Sequence, residues 1–473
     1  MKQSISIVLF RQDLRLLDNP ALEMASKRGE IFPVFILDDC APVECALGRA
    51  SKTWLHHSLD SLHKSLDETL NLYKGKTIEI LEHIIDAYGV SGIFFNMCHE
   101  PWQRKQEQAI LELCKKKSIE YNAFNSNYLW NPEQVLKEDG SYYRVFTAYK
   151  KKSYLVKPRK TIQNSLQIRA LIDSENNTAL SDLDLISSDK KWVEKIFKAE
   201  WKVGESAAHK KLHLFIKKKL SGYKEGRNYP AKRYPSLLSP HLHFGEISPA
   251  YVWEVIHQDG SKYADNSNIE SFASELIWRE FSSYLLHHFP NLYKDNFNNK
   301  FDTFPWEKKS KILTAWQNGL TGFPIVDAGI RELEQTGYMH NRVRMIVASF
   351  LIKNGNIHWH KGRDWFWDHL FDADLGNNST SWQWVAGCGV DPAPYFRIFN
   401  PVTQGEKFDK NGEYTRFFIP ELKNIPDKYL FKPWTAPAEI LQSAGVILGK
   451  NYPHPVLDLK ESRTQALKAY KKL

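Results

Sequence analysis

The sequence predicts a two-part chain, an α/β unit with a parallel sheet followed by a larger all-α unit rich in aromatic residues. Three observations carry this. Short β-branched or aromatic runs alternate with helical patterns up to about residue 125. Beyond about residue 206 the strand signals fade and a 3.6-residue apolar period takes over. Ten of the fifteen tryptophans follow residue 250, so the second unit has an aromatic interior. At 473 residues, 42% of them apolar and 13% aromatic, the chain can bury more than one core and is not a disordered one.

The first strand is predicted at SISIVLF (4–10), the second at IFPVFIL (31–37), the third at TIEIL (77–81) and the fourth at GIFFN (92–96). Helical patterns at 18–29, 50–72 and 102–117 separate them, which makes a Rossmann-like parallel sheet of residues 1–125. Residues 126–205 have weak periodicity and mixed charge, as in a connection that runs over the surface. Residues 206–473 form the helical unit. No GxGxxG follows the first strand and no GxxxxGK[ST] occurs, so the α/β part lacks the usual dinucleotide and P-loop fingerprints. There is no internal repeat and no low-complexity segment.

A net charge of +9, from 64 Lys and Arg against 55 Asp and Glu, favours polyanionic partners. The lysine runs at 115–117, 150–152 and 217–219 lack interleaved aromatics and read as solvated faces. Five cysteines without a CxxC pair indicate neither a zinc centre nor an iron–sulfur cluster, and their odd number suits a reducing cytoplasm. The apolar run Ile5–Phe10 meets Arg11, Asp13 and Arg15 at once, too soon for a signal peptide or a membrane span. The expectation is a cytoplasmic monomer with no metal.

Residues 372–408 are the densest in special chemistry, with Asp372, Asp374, Asn377, Asn378, Trp382 and Trp384 close together. Carboxylates, amides and flat indoles in one span suit a planar ligand with polar edges. Two helical patterns repeat that mixture. In 271–290, Glu275, Trp278, Arg279 and Ser282 share one face, opposite Ala273, Ile277, Phe281 and Tyr284. In 338–353, Asn341, Arg344, Met345 and Ala348 lie opposite Val343, Ile346, Val347 and Phe350.

With LFRQDLRLLDNPAL (9–22), LLSPHLHFGEISP (237–249), ELIWREF (275–281), TGFPIVDAGIREL (321–333) and MHNRVRM (339–345), these segments resemble the photolyase/cryptochrome family along nearly the whole chain, and most closely class I cyclobutane pyrimidine dimer photolyases. The resemblance implies FAD bent into a U in the helical unit, and in the α/β unit a light-harvesting second chromophore that the residues leave unassigned: a folate, a deazaflavin or none. It places Tyr223, Ser236, Leu237, Leu238 and Ser239 at the pyrophosphate and Phe272, Asn341, Arg344, Asp372, Ala373, Asp374 and Asn378 around the rest of the flavin. Glu275, Trp278, Asn341, Met345 and Trp384 would act on a flipped-out dimer. Arg227, Arg279, Ser282, Arg342, Arg397 and Gln404, together with Glu275, Trp278 and Asn341, would contact DNA. Trp306, Trp359 and Trp382 match the tryptophans that reduce the photoexcited flavin.

The implied activity is light-driven repair of pyrimidine dimers in DNA, in which reduced FAD lends an electron to the dimer and takes it back. A cryptochrome-type photoreceptor and a six-four photolyase are the alternatives. The first usually adds a signalling tail, whereas little follows the last motif here, and the second favours a His-His pair where His340-Asn341 stands. Pro235 replaces a threonine of the phosphate loop, Phe272 and Tyr338 replace tryptophans of close relatives, and HEPWQR (99–104) lacks the Asn-Glu pair of some folate-binding members.

Overall fold

Five strands form one parallel sheet in the order β3-β2-β1-β4-β5, in a computed structural model that describes residues 4–38, 40–162, 167–186, 189, 192–193, 201–307, 311–392, 394–395 and 397–473. They are β1 (Ser4–Phe10), β2 (Gly29–Asp38), β3 (Asn71–Gly75), β4 (Gly92–Asn96) and β5 (Glu120–Phe124). In β1, Ile7 and Leu9 pack on one side of the sheet and Val8 and Phe10 on the other. That is why its sequence is continuously apolar instead of alternating. Helices α1 (Pro20–Ser26), α2 (Arg49–Ser65), α3 (Thr77–Tyr88) and α4 (Pro101–Lys117) cover both faces.

Three details differ from the sequence prediction. The TIEIL segment opens α3, because Thr77, Leu81, Ile84 and Ile85 are its buried positions and that spacing is helical. Strand β3 begins in the last two residues of the helix that the sequence suggests at 50–72. The chain leaves α2 through Asp67 and Glu68, both in the left-handed region (φ 49° and 62°), and re-enters as a strand. Edge strand β5 (EYNAF) is only partly buried and offers no apolar run to read.

Residues 126–205 do more than cross the surface. Leu129, Trp130, Val135 and Tyr149 join the helical core, Tyr149 from α5 (Phe146–Ser153). Leu183, Leu185, Trp192 and Trp201 join a core beside the sheet, and Ala170 bridges Ile31 of β2 in parallel. Within this stretch residues 163–166, 187–188, 190–191 and 194–200 lie outside the described residues.

The helical part that follows includes α6 (Glu205–Lys218), α7 (Asn266–His288), α8 (Asn341–Ser349), α9 (Trp359–His369) and α10 (Leu375–Ala386). Asp265 caps α7 and Asp374 caps α10, each accepting a backbone N–H of the first turn. Among the described residues no helix is long and apolar enough to cross a membrane.

Two motifs of the sequence meet where the α/β and helical parts join. Arg15 is buried and donates to the carbonyl of Gly245 (2.9 Å), the carbonyl of Ser126 (3.2 Å) and Asn127 Oδ1 (3.2 Å). The Leu14 N–H donates to the Phe244 carbonyl (3.1 Å), and Trp54 Nε1 to Glu246 Oε1 (3.0 Å). Gly245 has φ +66°, and a Cβ there would lie 1.9 Å from the Gln12 carbonyl oxygen, so only glycine permits this approach. Glu100 is buried nearby, accepting from Trp102 Nε1 (2.8 Å) and Gln12 Nε2 (3.3 Å).

Burial, then repulsion from Asp374, pushes the Glu100 carboxyl up from its ordinary 4.5 to about 7. A carboxyl raised on folding favours the folded state fully below 4.5, and this contribution is lost as pH rises through about 7. Glu100→Gln fixes the uncharged form, so its melting temperature relative to the parent should be higher at pH 8 than at pH 5. An offset equal at both pH values would show that Glu100 does not titrate in this window.

Candidate functional site

Four separated segments converge on one cavity of about 510 Å³, inside the size range of small-molecule sites. The first segment supplies Tyr223 and the turn Ser236, Leu237, Leu238, Ser239. Leu237 sits at φ +58°, a conformation that costs a leucine free energy and turns the chain around the cavity. Ser236 Oγ accepts the Leu238 N–H (3.3 Å) and closes that turn. Pro235 also lines it, so the absent threonine hydroxyl is lost at the cavity wall itself.

Helix α7 supplies Phe272, Glu275, Trp278, Arg279 and Ser282, and α8 supplies Asn341, Arg344, Met345 and Ala348. These are the mixed faces expected from the sequence, while Val343, Ile346 and Val347 on the other side of α8 are fully buried in the core. The fourth segment supplies Asp372, Ala373, Asp374, Asn377, Asn378, Trp382 and Trp384. All the residues expected at a flavin, and all five expected at the dimer, thus share one cavity.

Charge inside it is compensated. Arg344 donates to both oxygens of Asp372 (3.1 and 2.9 Å) and to the Met339 carbonyl (2.7 Å). Burial opposes the charge of Arg344, but the Asp372 carboxylate outweighs it and holds the guanidinium pKa above its ordinary value. Asp374 Oδ1 accepts Asn377 N (2.7 Å) and Asn377 Nδ2 (2.8 Å). Its other oxygen is 4.0 Å from His243 Nδ1, an imidazole that burial keeps below its ordinary pKa. Asn378 Nδ2 donates to the Arg363 carbonyl (3.1 Å), so Asn377 serves the helix cap and Asn378 ties α10 to α9.

The more exposed lining belongs to Trp278, 36% accessible, and to Glu275, which forms an ion pair with Arg227. Trp278 stacks face to face on Phe146 of α5 at 3.5 Å and 5°. Its plane is therefore set before anything binds.

Arg279 and Ser282 differ from the expectation of DNA contacts. The Arg279 guanidinium turns inward to the carbonyls of Asn127 (2.9 Å) and Leu242 (3.4 Å), and the Ser282 hydroxyl accepts from Thr380 (2.9 Å). Arg342, Arg397 and Gln404 lie outside the cavity lining. Arg342 donates to Asn228 Oδ1 (2.6 Å), rests on Phe408 and reaches Met345 Sδ (3.8 Å). Arg397 is exposed, and the buried Lys353 anchors its carbonyl (3.1 Å). Gln404 is half-buried on the helix Pro401–Phe408. His243, Met339, Phe366 and Leu370 line the cavity without having been singled out by the sequence. His243 and Met339 lie within LLSPHLHFGEISP and MHNRVRM, so only their roles were missed, whereas Phe366 and Leu370 read as ordinary core.

The site can thus hold a large, partly aromatic ligand with phosphate and polar ring edges, and FAD fits that description. The sequence matches the family described as "DNA photolyase" over residues 6–163 and that described as "FAD binding domain of DNA photolyase" over residues 272–472. It is 42% identical to a deoxyribodipyrimidine photo-lyase of Agrobacterium fabrum (strain C58 / ATCC 33970) over 99% of this chain and 98% of that protein. The chain belongs to the photolyase/cryptochrome family. A solved class III photolyase from Agrobacterium tumefaciens aligns with TM-score 0.95 at 42% identity, covering 100% of this chain and 98% of that one. Cryptochrome-2 of Arabidopsis thaliana is 34% identical over 98% of this chain and 78% of its own length. The solved relative is thus described as class III, where the motifs suggested class I.

The three tryptophans singled out by the family resemblance are all linked to α9 or to the residue before it. Trp306 is half-buried and its ring is 5.2 Å from that of His358. His358 precedes Trp359, which is fully buried with its Nε1 on Asn296 Oδ1 (2.8 Å). One helical turn on, Gly362 receives the ring of Trp382, which faces the cavity, and a Cβ at Gly362 would lie 2.0 Å from that ring. Gly362→Ala must therefore displace Trp382, at a cost of about 1–3 kcal/mol. A lower melting temperature and an altered near-ultraviolet circular dichroism spectrum are expected. No change in either would place the indole elsewhere.

Proposed function

We propose that this protein is a light-driven DNA lyase that splits cyclobutane pyrimidine dimers, with FAD in the cavity and the dimer at its outer end. The observation that carries the reading is the continuity of one cavity from the phosphate-type turn Ser236–Ser239, past Arg344–Asp372, to Glu275, Trp278 and Met345. Tyr223, the 236–239 turn, Phe272, Asn341, Arg344, Asp372, Ala373, Asp374 and Asn378 would hold the cofactor. When bound and reduced, it supplies a photoexcited one-electron donor that recovers its electron at the end. The reaction breaks the two carbon–carbon bonds that join the pyrimidines, with no net gain or loss of atoms or electrons.

The residues of the chain bind and orient. A dimer leaves the duplex at a cost of a few kcal/mol, reduced by its poor stacking. Trp278 and Trp384 wall the receiving space, and Met345 packs against the flipped bases. Glu275 hydrogen-bonds a pyrimidine edge, for which its pair with Arg227 must open or be shared. Arg227, Arg342, Arg397 and Gln404 would follow the DNA backbone. Retention of Glu275, Trp278 and Met345 favours repair over a photoreceptor role. We assign the second chromophore, folate or deazaflavin, to the α/β part, and expect a cytoplasmic monomer.

The purified protein should contain FAD and should repair dimer-containing oligonucleotide only under near-ultraviolet or blue light. Equal repair in the dark would refute the assignment. Trp278→Ala should weaken dimer binding by about 1–3 kcal/mol, the scale of base–aromatic stacking, with flavin content unchanged. Parent-like dimer affinity in that variant would remove Trp278 from the lesion site.

Trp306→Phe separates a relay from packing. It keeps most of the apolar volume, so folding, FAD content and repair by chemically pre-reduced enzyme should persist. Flavin bleaching under blue light with an external thiol should be lost. Normal bleaching in both Trp306→Phe and Trp382→Phe would exclude the three tryptophans as an electron path.

A further inference from the structure

The last turn of α7 carries two consecutive histidines, His287 and His288, away from the cavity. Opposite them stands Glu133 in the 3-10 turn Pro132–Gln134, just after the α/β part. Among the described residues these three side chains are the one group in which three ligand-type atoms lie within 4.8 Å of one another. His287 Nε2 is 3.0 Å from Glu133 Oε1. The His288 ring hydrogen-bonds the backbone of Pro132, while its Nε2 is buried without a hydrogen-bond partner.

An imidazole with one nitrogen tied to the backbone and the other unpartnered has the arrangement of a metal ligand. Tyr142 stacks on His288 at 3.9 Å and 19°, which holds the ring plane. Arg104, whose charge opposes a bound cation, donates to the His287 carbonyl (3.0 Å), on the backbone side of the site. The C-terminal end of α7 adds a partial negative charge.

We propose that Glu133, His287 and His288 bind a divalent transition-metal ion of the zinc class, with water as the fourth ligand. Two imidazoles and one carboxylate suit zinc, whereas magnesium and calcium require all-oxygen shells. Tetrahedral ligands stand about 3.4 Å apart when each is about 2.1 Å from zinc. Glu133 is exposed and long enough to supply the closing movement. The ion would tie the end of the helix that carries Glu275 and Trp278 to the chain leaving the α/β part, independently of what the cavity binds.

The test titrates the full-length, FAD-loaded, tag-free protein with zinc chloride by calorimetry and follows the melting temperature. Equimolar uptake and a rise in melting temperature are expected, with no uptake from magnesium chloride. Glu133→Gln alters only an exposed side chain, so it should fold, keep its FAD and bind zinc at least about tenfold more weakly. His287→Gln combined with His288→Gln should abolish uptake. No zinc uptake by the parent, or parent-like affinity in Glu133→Gln, would overturn the site.

Discussion

The buried guanidinium of Arg15 is the constraint on which the relation of the two parts depends. Burial works against its charge and lowers its pKa, so it is tolerable only because carbonyls from three segments surround it. One of them, from Gly245, lies only six residues after the Ser239 end of the cavity turn, at a place where any side chain would collide with the Gln12 backbone. Asp18, in the left-handed region at φ 51°, adds a second hub, accepting Ile162 N (2.8 Å) and bonding Arg159 and Ser248. Removing any one partner would weaken the support of a buried charge. The turn that lines the cavity is therefore fixed by chemistry belonging to the other part of the chain.

Within the cavity the same rule governs function. Arg344 with Asp372, and Arg227 with Glu275, keep four ionised groups in a half-dry space, where an unpaired charge would cost several kcal/mol. In the inner pair the carboxylate of Asp372 is nearly buried and Arg344 is also held by the Met339 carbonyl, so its geometry is fixed. In the outer pair the carboxylate of Glu275 is more exposed, so it can exchange one interaction for another when a ligand arrives. Rigidity at the inner end of the cavity and adaptability at the outer end both follow from the depth of the carboxylates.

Much of this was legible in the sequence. The mixed faces of α7 and α8 announced themselves because Trp278, Arg344 and Met345 fall off the apolar stripe. β1, β2 and β4 were plain because buried parallel strands are continuously apolar. The segment 77–81 misled because five residues cannot distinguish a strand from the first turn of a helix, and β5 was missed because an edge strand buries little. Arg279 and Ser282 share a face with Glu275 by periodicity, yet only tertiary contacts with Asn127, Leu242 and Thr380 decide that they point inward. Glu133 and His287 are separated by 154 residues, so no spacing rule could join them.

Helix α7 has two buried sides, and that explains its weak amphipathic pattern. Ala273 and Ile277 pack into the core, while Phe272 and Leu276 face the cavity and are equally buried. Apolar walls around a void lose the dispersion contacts that a filled core would give. A cofactor bound there completes the core as well as the active site. Binding at a free concentration a hundredfold above its Kd would stabilise the fold by about 2.7 kcal/mol. Side chains that both line the cavity and belong to the core, such as Phe272 and Trp382, therefore couple cofactor retention to folding.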